Sequence, residues 1–433
     1  MLRRFQFRSS MALLLLGIAF AIRAEEEPLK RIPAPFMTYH GAPWLERHER
    51  EEEEHPDEVI NAMGLKPGDV VADIGCGTGY FARRMAKRVL PGGKVYGVDI
   101  QPEMIELLKK AAEKDGAGNV IPVLSAEDDP KLPQGEVDWM ILVDVYHEFS
   151  EPERMLAKMR AALAPGGRVA LVEYRVEDGT GDHIKPDHRM SARQVMIEWE
   201  AAGFELVDLH EFLPHQHLFI FRSSSASPDP PKPITRVELR AASDQGKVKL
   251  ESVRADGDSI TVKIARTVDE RLLITTPAGQ YFRSADGTAD RVAHRDGAIG
   301  LFDDGAKDWR ILAVPAAADR ARQASDPIRF EIEPTSNRPD LRRAMFYIQS
   351  GGLPVDTARA AARILSADSR LEELRGLRPQ SIALALLACD QAGVKIEERA
   401  IWRDRQNLLD ALGEGNLKQW LRERAESPPP TSE

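Results

Sequence analysis

The chain has 433 residues, 42% of them hydrophobic and 30% charged, which is long enough for two or three domains with separate cores. Its 59 Lys and Arg stand against 69 Asp and Glu, a net charge of -10 that removes any global pull towards nucleic acid or an anionic membrane. The two cysteines, Cys76 and Cys389, sit in no C-x-x-C or metal-ligand spacing, so neither a disulfide nor a metal site is expected.

Met1–Ala24 has the layout of a secretory signal: Arg3, Arg4 and Arg8, then the apolar run Met11–Ile22, then the small residue Ala24 before Glu25. Cleavage after Ala24 and export to the periplasm or beyond are expected. The alternatives are an uncleaved N-terminal anchor, or a start at Met11 and a cytoplasmic chain. No further membrane span is visible. Residues 25–57 form a polar, acidic extension in which Tyr39 and Trp44 either close over a site or pack on the next domain. The run Glu51–Glu54 reads as a solvated helix face.

From Glu58 to Arg222, strand-like and helix-like stretches alternate as a doubly wound, mostly parallel α/β sheet requires. The strands expected are Val70–Gly75, Lys94–Ile100, Val120–Ser125, Val137–Val143 and Arg168–Tyr174, and the helices between them Tyr80–Val89, Pro102–Lys114, Pro152–Ala164 and Ala192–Ala202. Two last runs, Glu205–Phe212 and His217–Arg222, are joined by a short turn and predict a closing antiparallel hairpin. Leu163-Ala164-Pro165-Gly166-Gly167 reads as a helix stop and turn.

The most informative stretch is Asp73-Ile74-Gly75-Cys76-Gly77-Thr78-Gly79-Tyr80, a strand end, a glycine loop and a helix start. Glycines at this spacing let the backbone turn tightly and approach a ligand, with free N–H groups of the helix beyond. A dinucleotide fingerprint would need glycine where Tyr80 stands, which disfavours a Rossmann-type oxidoreductase. With Asp99 at the next strand end, Ser125-Ala126-Glu127-Asp128 after the third strand, Val137–Phe149, and the Pro-Gly-Gly turn, the ordered set resembles the class I S-adenosylmethionine-dependent methyltransferases, loosely those of quinone biosynthesis. That resemblance implies S-adenosyl-L-methionine as cofactor, a small-molecule methyl acceptor, and a cofactor site made of Asp73, Gly75, Cys76, Gly77, Gly79, Asp99, Ile100, Ala126, Glu127, Asp128 and Asp144. Asp99 would bind the ribose hydroxyls; the alternative, compatible with that role, is a helix cap for Pro102–Lys114. Asp144, Tyr146 and His147 follow the fourth strand and are the expected catalytic group, with Glu173, Tyr174 and His188 as further bases. A non-catalytic binding protein that kept the fold is the principal alternative. Export conflicts with a cofactor made in the cytosol.

Residues 223–233 are a serine- and proline-rich linker. Beyond it, residues 234–335 alternate in short runs punctuated by glycine, predicting a small antiparallel β-sandwich. Residues 336–425 are helical in pattern, with Leu341–Ile348, Val355–Leu365, Ser381–Ala392 and Asn407–Trp420 as helices, and 426–433 form a disordered tail. These modules are expected to bind another protein or an envelope component, and residues 25–222 to fold without them.

Overall fold

The computed structural model describes residues 31, 33–224, 233–287, 289–317 and 329–426. The expected export signal, most of the linker and the expected tail beyond residue 426 lie outside the described residues. Among the described residues no helix is long and apolar enough to cross a membrane.

Three short helices come first: α1 (Ala42–Leu45), α2 (Arg50–Glu54) and α3 (Pro56–Met63). The sheet region then runs β1 (Val70–Ile74), α4 (Tyr80–Arg88), β2 (Lys94–Asp99), α5 (Pro102–Lys114), β3 (Val120–Leu124), β4 (Val137–Val143), α6 (Pro152–Ala162), β5 (Leu163–Tyr174), α7 (Ala192–Ala201), β6 (Phe204–His210) and β7 (Gln216–Ser223). The strand order is β3-β2-β1-β4-β5-β7-β6, parallel through β5, with β7 antiparallel to both β5 and β6. The expected doubly wound sheet with its closing hairpin is therefore present.

The central strands read as unbroken apolar runs because helices cover both faces of the sheet. Val71, Ile141 and Ala170 pack with Met85 and Leu108 on one side. Their neighbours Ala72, Met140 and Val169 pack with Met159 and Trp199 on the other. One expectation shifts: the turn at 163–167 belongs to β5. Val137 pairs with Leu163 and Trp139 with Arg168, so Pro165-Gly166-Gly167 bulges out of the ladder, with Gly166 at φ 82.

Beyond the linker come β8 (Thr235–Glu238), α8 (Leu239–Asp244), β9 (Val248–Asp256), β10 (Ser259–Arg266), β11 (Leu272–Thr276), β12 (Tyr281–Ser284), β13 (Arg291–Ala293), β14 (Gly297–Leu301), β15 (Lys307–Pro315) and β16 (Phe330–Ile332). They form a six-stranded sheet, β16-β12-β13-β15-β10-β9, and a three-stranded sheet, β14-β11-β8. Ile260, Val262 and Ile311 of the first meet Leu272, Ile274 and Leu301 of the second in one core. The arrangement is not wholly antiparallel, since β8 pairs parallel with β11. Residues 239–244 are helical, because Leu239 and Ala242 reach the core from one side of a turn. Strands β12, β13 and β14 are too short to show an alternation in the sequence.

The helices α9 (Pro339–Ser350), α10 (Val355–Ala367), α11 (Pro379–Gln391), α12 (Arg405–Ala411) and α13 (Asn416–Glu426) complete the chain. The single helix expected over 407–420 is broken at Gly413 and Gly415, the latter at φ 154.

The linker does not separate two cores. Ile234 and Leu273 belong to the same buried cluster as Trp199, Phe204 and Leu206. Ile234 N–H donates to Leu206 O at 2.9 Å, Ser191 Oγ donates to Asp296 at 2.6 Å, and Arg193 is paired with Glu238 at 2.6 Å. The β-module in turn shares Tyr281, Val292 and Val314 with the helices Pro339–Ser350 and Val355–Ala367. A fragment of residues 25–222 would uncover apolar surface that these contacts bury. We expect it to aggregate, and the full chain to unfold in urea in one transition followed by tryptophan fluorescence. Leu273→Ala should lower that transition by about 2–4 kcal/mol; two separate transitions, with only one moved by the substitution, would show independent halves.

The connection from β5 to α7, residues 175–191, crosses the carboxyl edge of the sheet and is anchored by His217 of β7. Its Nε2 lies 3.0 Å from Glu177 and its Nδ1 2.9 Å from Glu211, while Glu177 also accepts from Ala192 N at 2.6 Å. Burial opposes the imidazolium, but the Glu211 and Glu177 carboxylates outweigh it and push the His217 pKa up to about 10. A histidine raised on folding contributes stability that is complete below its unfolded value, about 6.5, and is lost as pH rises through about 10. The melting temperature should fall across that window in the wild type, and His217→Asn should flatten the fall.

Candidate functional site

The glycine loop after β1 is pinned between strands. Gly75 N and Cys76 N both donate to Val98 O, at 2.8 and 2.9 Å, and Gly77 N donates to Asp99 Oδ2 at 2.9 Å. Gly75 and Gly77 hold φ of 71 and 52, in the left-handed region. A Cβ on Gly75 would lie 2.3 Å from Val145 Cγ2, and one on Gly77 2.6 Å from Leu45 Cδ1.

Three residues expected to bind cofactor shape this loop from behind instead of lining the cavity in front of it. Asp73 is buried and accepts from Ala82 N in the first turn of Tyr80–Arg88 at 2.9 Å, and burial pushes its carboxyl up to about 7. Gly79 caps that helix and packs against Leu108, where a Cβ would meet Cδ1 at 2.2 Å. Cys76 is in the core beside Gly97, its thiol pushed up by burial.

The cavity has a volume of about 430 Å³ and lies at the carboxyl ends of β1, β2 and β4. Of the residues expected to bind cofactor, Gly75, Gly77, Asp99, Ile100, Ala126, Glu127 and Asp144 line it. Asp99 Oδ1 also accepts from Gln101 N at 2.9 Å, so the same carboxylate faces the cavity and holds the loop; it does not cap the helix Pro102–Lys114 as expected, because its bond is to the N–H of Gln101, which itself stands at the N-cap. Asp128 does not line the cavity: it is half-buried, 3.5 Å from Arg154.

Asp144, His147, Tyr174 and His188 stand together on the cavity wall. Asp144 is held at φ 50 by its N–H bond to Val172 O and accepts from Gln216 Nε2 at 2.7 Å. Its Oδ1 is buried with no hydrogen-bond partner among the described residues. Burial, with the charges of Glu54 and Glu173 nearby, holds its carboxyl well above the usual range. His147 Nδ1 lies 2.7 Å from Glu173 Oε2. Burial disfavours its charge, yet Glu173 prevails and raises its pKa. Glu173 itself is fully buried behind His147 and supports it from there.

Tyr146 is not part of this group. Its hydroxyl is 2.5 Å from Glu198 Oε2 and its ring packs edge-on against Trp199 and Phe149, away from the cavity. The one-residue step from Tyr146 to His147 turns the first side chain into the core and the second onto the cavity wall.

The N-terminal segment closes the cavity. Phe36, Met37, Trp44 and Leu45 line it. Gln101 grips the segment twice, Nε2 donating to Met37 O at 2.8 Å and Oε1 accepting from Tyr39 N at 2.9 Å. Ala34 N donates to His147 O at 3.0 Å. Trp44 thus lines the cavity, whereas Tyr39 turns outward onto His40. The glutamate run is not a solvated face throughout. Glu54 is buried on the cavity wall and paired with Arg50 at 2.6 Å, and Arg50 lies over the Tyr80 ring at 4.1 Å. Glu51 accepts from the Tyr80 hydroxyl at 2.9 Å. Arg50, Glu54, Gln101 and Glu148 were missed as site residues; the i, i+4 pair of Arg50 and Glu54 was the one signal available.

Residues 65–246 match a family described as a methyltransferase domain. A methyltransferase of Bacillus subtilis, YdaC, itself uncharacterized, is 28% identical over 152 residues, 35% of this chain and 80% of that one. The ubiquinone/menaquinone biosynthesis C-methyltransferase UbiE of Cupriavidus taiwanensis is 31% identical over 116 residues, 27% of this chain and 47% of that one. A solved S-adenosylmethionine-dependent methyltransferase from Aquifex aeolicus superposes with a TM-score of 0.41 at 27% identity, over 43% of this chain and 98% of that one. The chain spans under two thirds of the length of some of these relatives: 47% of UbiE, and 37% of a protein of transposon TN4556 from Streptomyces fradiae.

Proposed function

Because residues 65–246 form a class I S-adenosylmethionine-dependent methyltransferase domain, we propose that this chain methylates a small-molecule acceptor held beneath its N-terminal segment. The observation that carries the reading is one cavity with a cofactor cradle at one end and the His147 and His188 side chains at the other. The cradle fits S-adenosylmethionine on three counts. Gly75 and Gly77 have no room for a Cβ, Asp99 faces the cavity as a carboxylate acceptor, and the orphaned Oδ1 of Asp144 suits an ammonium group. Ile100, Ala126 and Glu127 would border the adenine.

When bound, the cofactor supplies a methyl group already activated as a sulfonium. The protein's part is then to orient the acceptor and accommodate its proton. Phe36, Met37, Trp44 and Phe149 give the acceptor end an apolar wall, which favours an acceptor with an apolar body. The C-methyltransferase in quinone biosynthesis and a nocamycin O-methyltransferase of Saccharothrix syringae, 33% identical over 113 residues, are relatives whose names agree with a small acceptor.

Export stays part of the proposal, on the layout of Met1–Ala24. A mature terminus at Glu25, found by N-terminal sequencing of the native protein, would support it; an intact Met1 or Met11 in the cytosolic fraction would refute it. For the β-module we infer a buttressing role, supported by its burial against α7.

Isothermal titration should show binding of S-adenosylmethionine and none of NAD, and the methyl label should pass to an apolar hydroxylated or thiol-bearing acceptor in a compound screen. Asp99→Ala should weaken cofactor binding by about 1.5–3 kcal/mol, the scale for lost bonds to a charged acceptor. Gly77→Val should abolish it by filling the cradle. Full affinity in folded Asp99→Ala would remove that residue from the site.

A further inference from the structure

The acceptor end carries a grouping that neither the glycine loop nor the acid at β2 explains. His147, Glu148 and His188 come from two separate segments, yet each offers a ligand atom, and these atoms all lie within 4.8 Å of one another. All three residues line the cavity. The His147 and His188 rings are 5.0 Å apart between centroids.

A second observation concerns how the two rings are held. His147 Nδ1 is 2.7 Å from Glu173 Oε2, and His188 Nδ1 is 2.7 Å from Asp187 Oδ1. An imidazole with Nδ1–H donated to a carboxylate is fixed as the tautomer whose Nε2 lone pair binds a metal, and is made a better ligand by it. Two neighbouring histidines oriented by two separate carboxylates are what a metal centre requires of its surroundings. Metal–ligand bonds of about 2.0–2.2 Å place cis ligands roughly 3 Å apart, so the trio must close slightly around an ion. Glu148 and the half-exposed His188 can do this by rotamer adjustment.

We propose that His147, Glu148 and His188 hold a divalent transition-metal ion at the acceptor end of the cavity, with coordination positions left open for an oxygen or sulfur of the acceptor. Two imidazoles and one carboxylate suit zinc, iron or nickel; magnesium and calcium call for oxygen ligands throughout. Three protein ligands leave the centre open, as in catalytic zinc sites. The ion acts as a Lewis acid without change of oxidation state. A hydroxyl or thiol that binds it loses its proton to water, the O–H or S–H electron pair staying on the heteroatom, and is presented as an anion. Metal binding is independent of the methyltransferase reading; only the acceptor assignment rests on it.

The test uses the untagged full chain, stripped with EDTA and desalted. Zinc chloride titrated by calorimetry should bind with one equivalent, and cobalt(II) should develop visible absorption bands of an ordered site. His188→Ala and Glu148→Gln should each weaken zinc binding at least tenfold. Asp187→Asn, which would not touch the ion, should weaken it by about 10-fold or more through the orientation of His188. S-adenosylmethionine affinity and the far-ultraviolet circular dichroism of the three variants should match wild type, which separates loss of the site from loss of the fold. Absence of stoichiometric zinc binding, or binding that all three variants retain, would overturn the proposal. Zinc binding lost in the variants of a protein that takes no S-adenosylmethionine would uphold the metal centre while refuting the methyltransferase reading.

Discussion

The site depends on the way the loop after β1 is tied to the end of β2. Two successive backbone N–H groups, of Gly75 and Cys76, converge on Val98 O, and the next glycine donates to Asp99. From the other side Asp73 captures the N–H of Ala82 and draws the helix that follows against the sheet. Glycine is needed at 75 and 77 because the backbone is left-handed there and Val145 and Leu45 occupy the space a side chain would take. The loop is therefore rigid before any ligand arrives, and the ordering cost of binding is largely met in folding.

Around this loop the protein accumulates buried acids. Asp144 and Glu54 on the cavity wall and Glu173 behind it act on one another, and the raised carboxyl of Asp144 records this repulsion as well as its burial. Arg50 and His147 supply the compensating charge, each paired with one of the carboxylates. Because Arg50 belongs to the N-terminal segment, closure of that segment is coupled to the electrostatics of the site floor. Its guanidinium spans the Tyr80 ring and the Glu54 carboxylate together, so the segment is held by stacking as well as by charge.

The half of the chain beyond the sheet is part of the same structure. Trp199 and Phe204 sit in a cluster completed by Ile234 and Leu273, and Asp296 reaches back to Ser191 at the start of α7. The connection that carries His188 and Ile184 to the cavity lies between these contacts and the Glu177–His217–Glu211 bridge, and Arg295 of the β-module donates to Val176 O within it. The part of the cavity wall that carries His188 and Ile184 is thus positioned partly by residues far along the chain from the glycine loop.

The succession of strands and helices along the chain, the closing hairpin and the glycine loop were legible in the sequence because they rest on local rules. Apolar runs, glycine punctuation and an acid at a strand end each act within a few residues. The direction a side chain takes at the end of a strand was not legible. Asp73 turns behind the loop and Tyr146 into the core, while His147 beside it reaches the cavity, and these choices follow from which neighbour, Ala82 N, Glu198 or Glu173, satisfies each polar group. The burial of Glu54 was hidden for the same reason: a run of four glutamates looks solvated until a distant surface covers one of them. The serine- and proline-rich stretch determined by itself that the chain has a break in pattern, but a linker says nothing of whether the cores on either side meet. That, and the approach of His188 to His147 and Glu148, only the tertiary structure decided, because both depend on contacts between segments whose sequence separation carries no periodic signal.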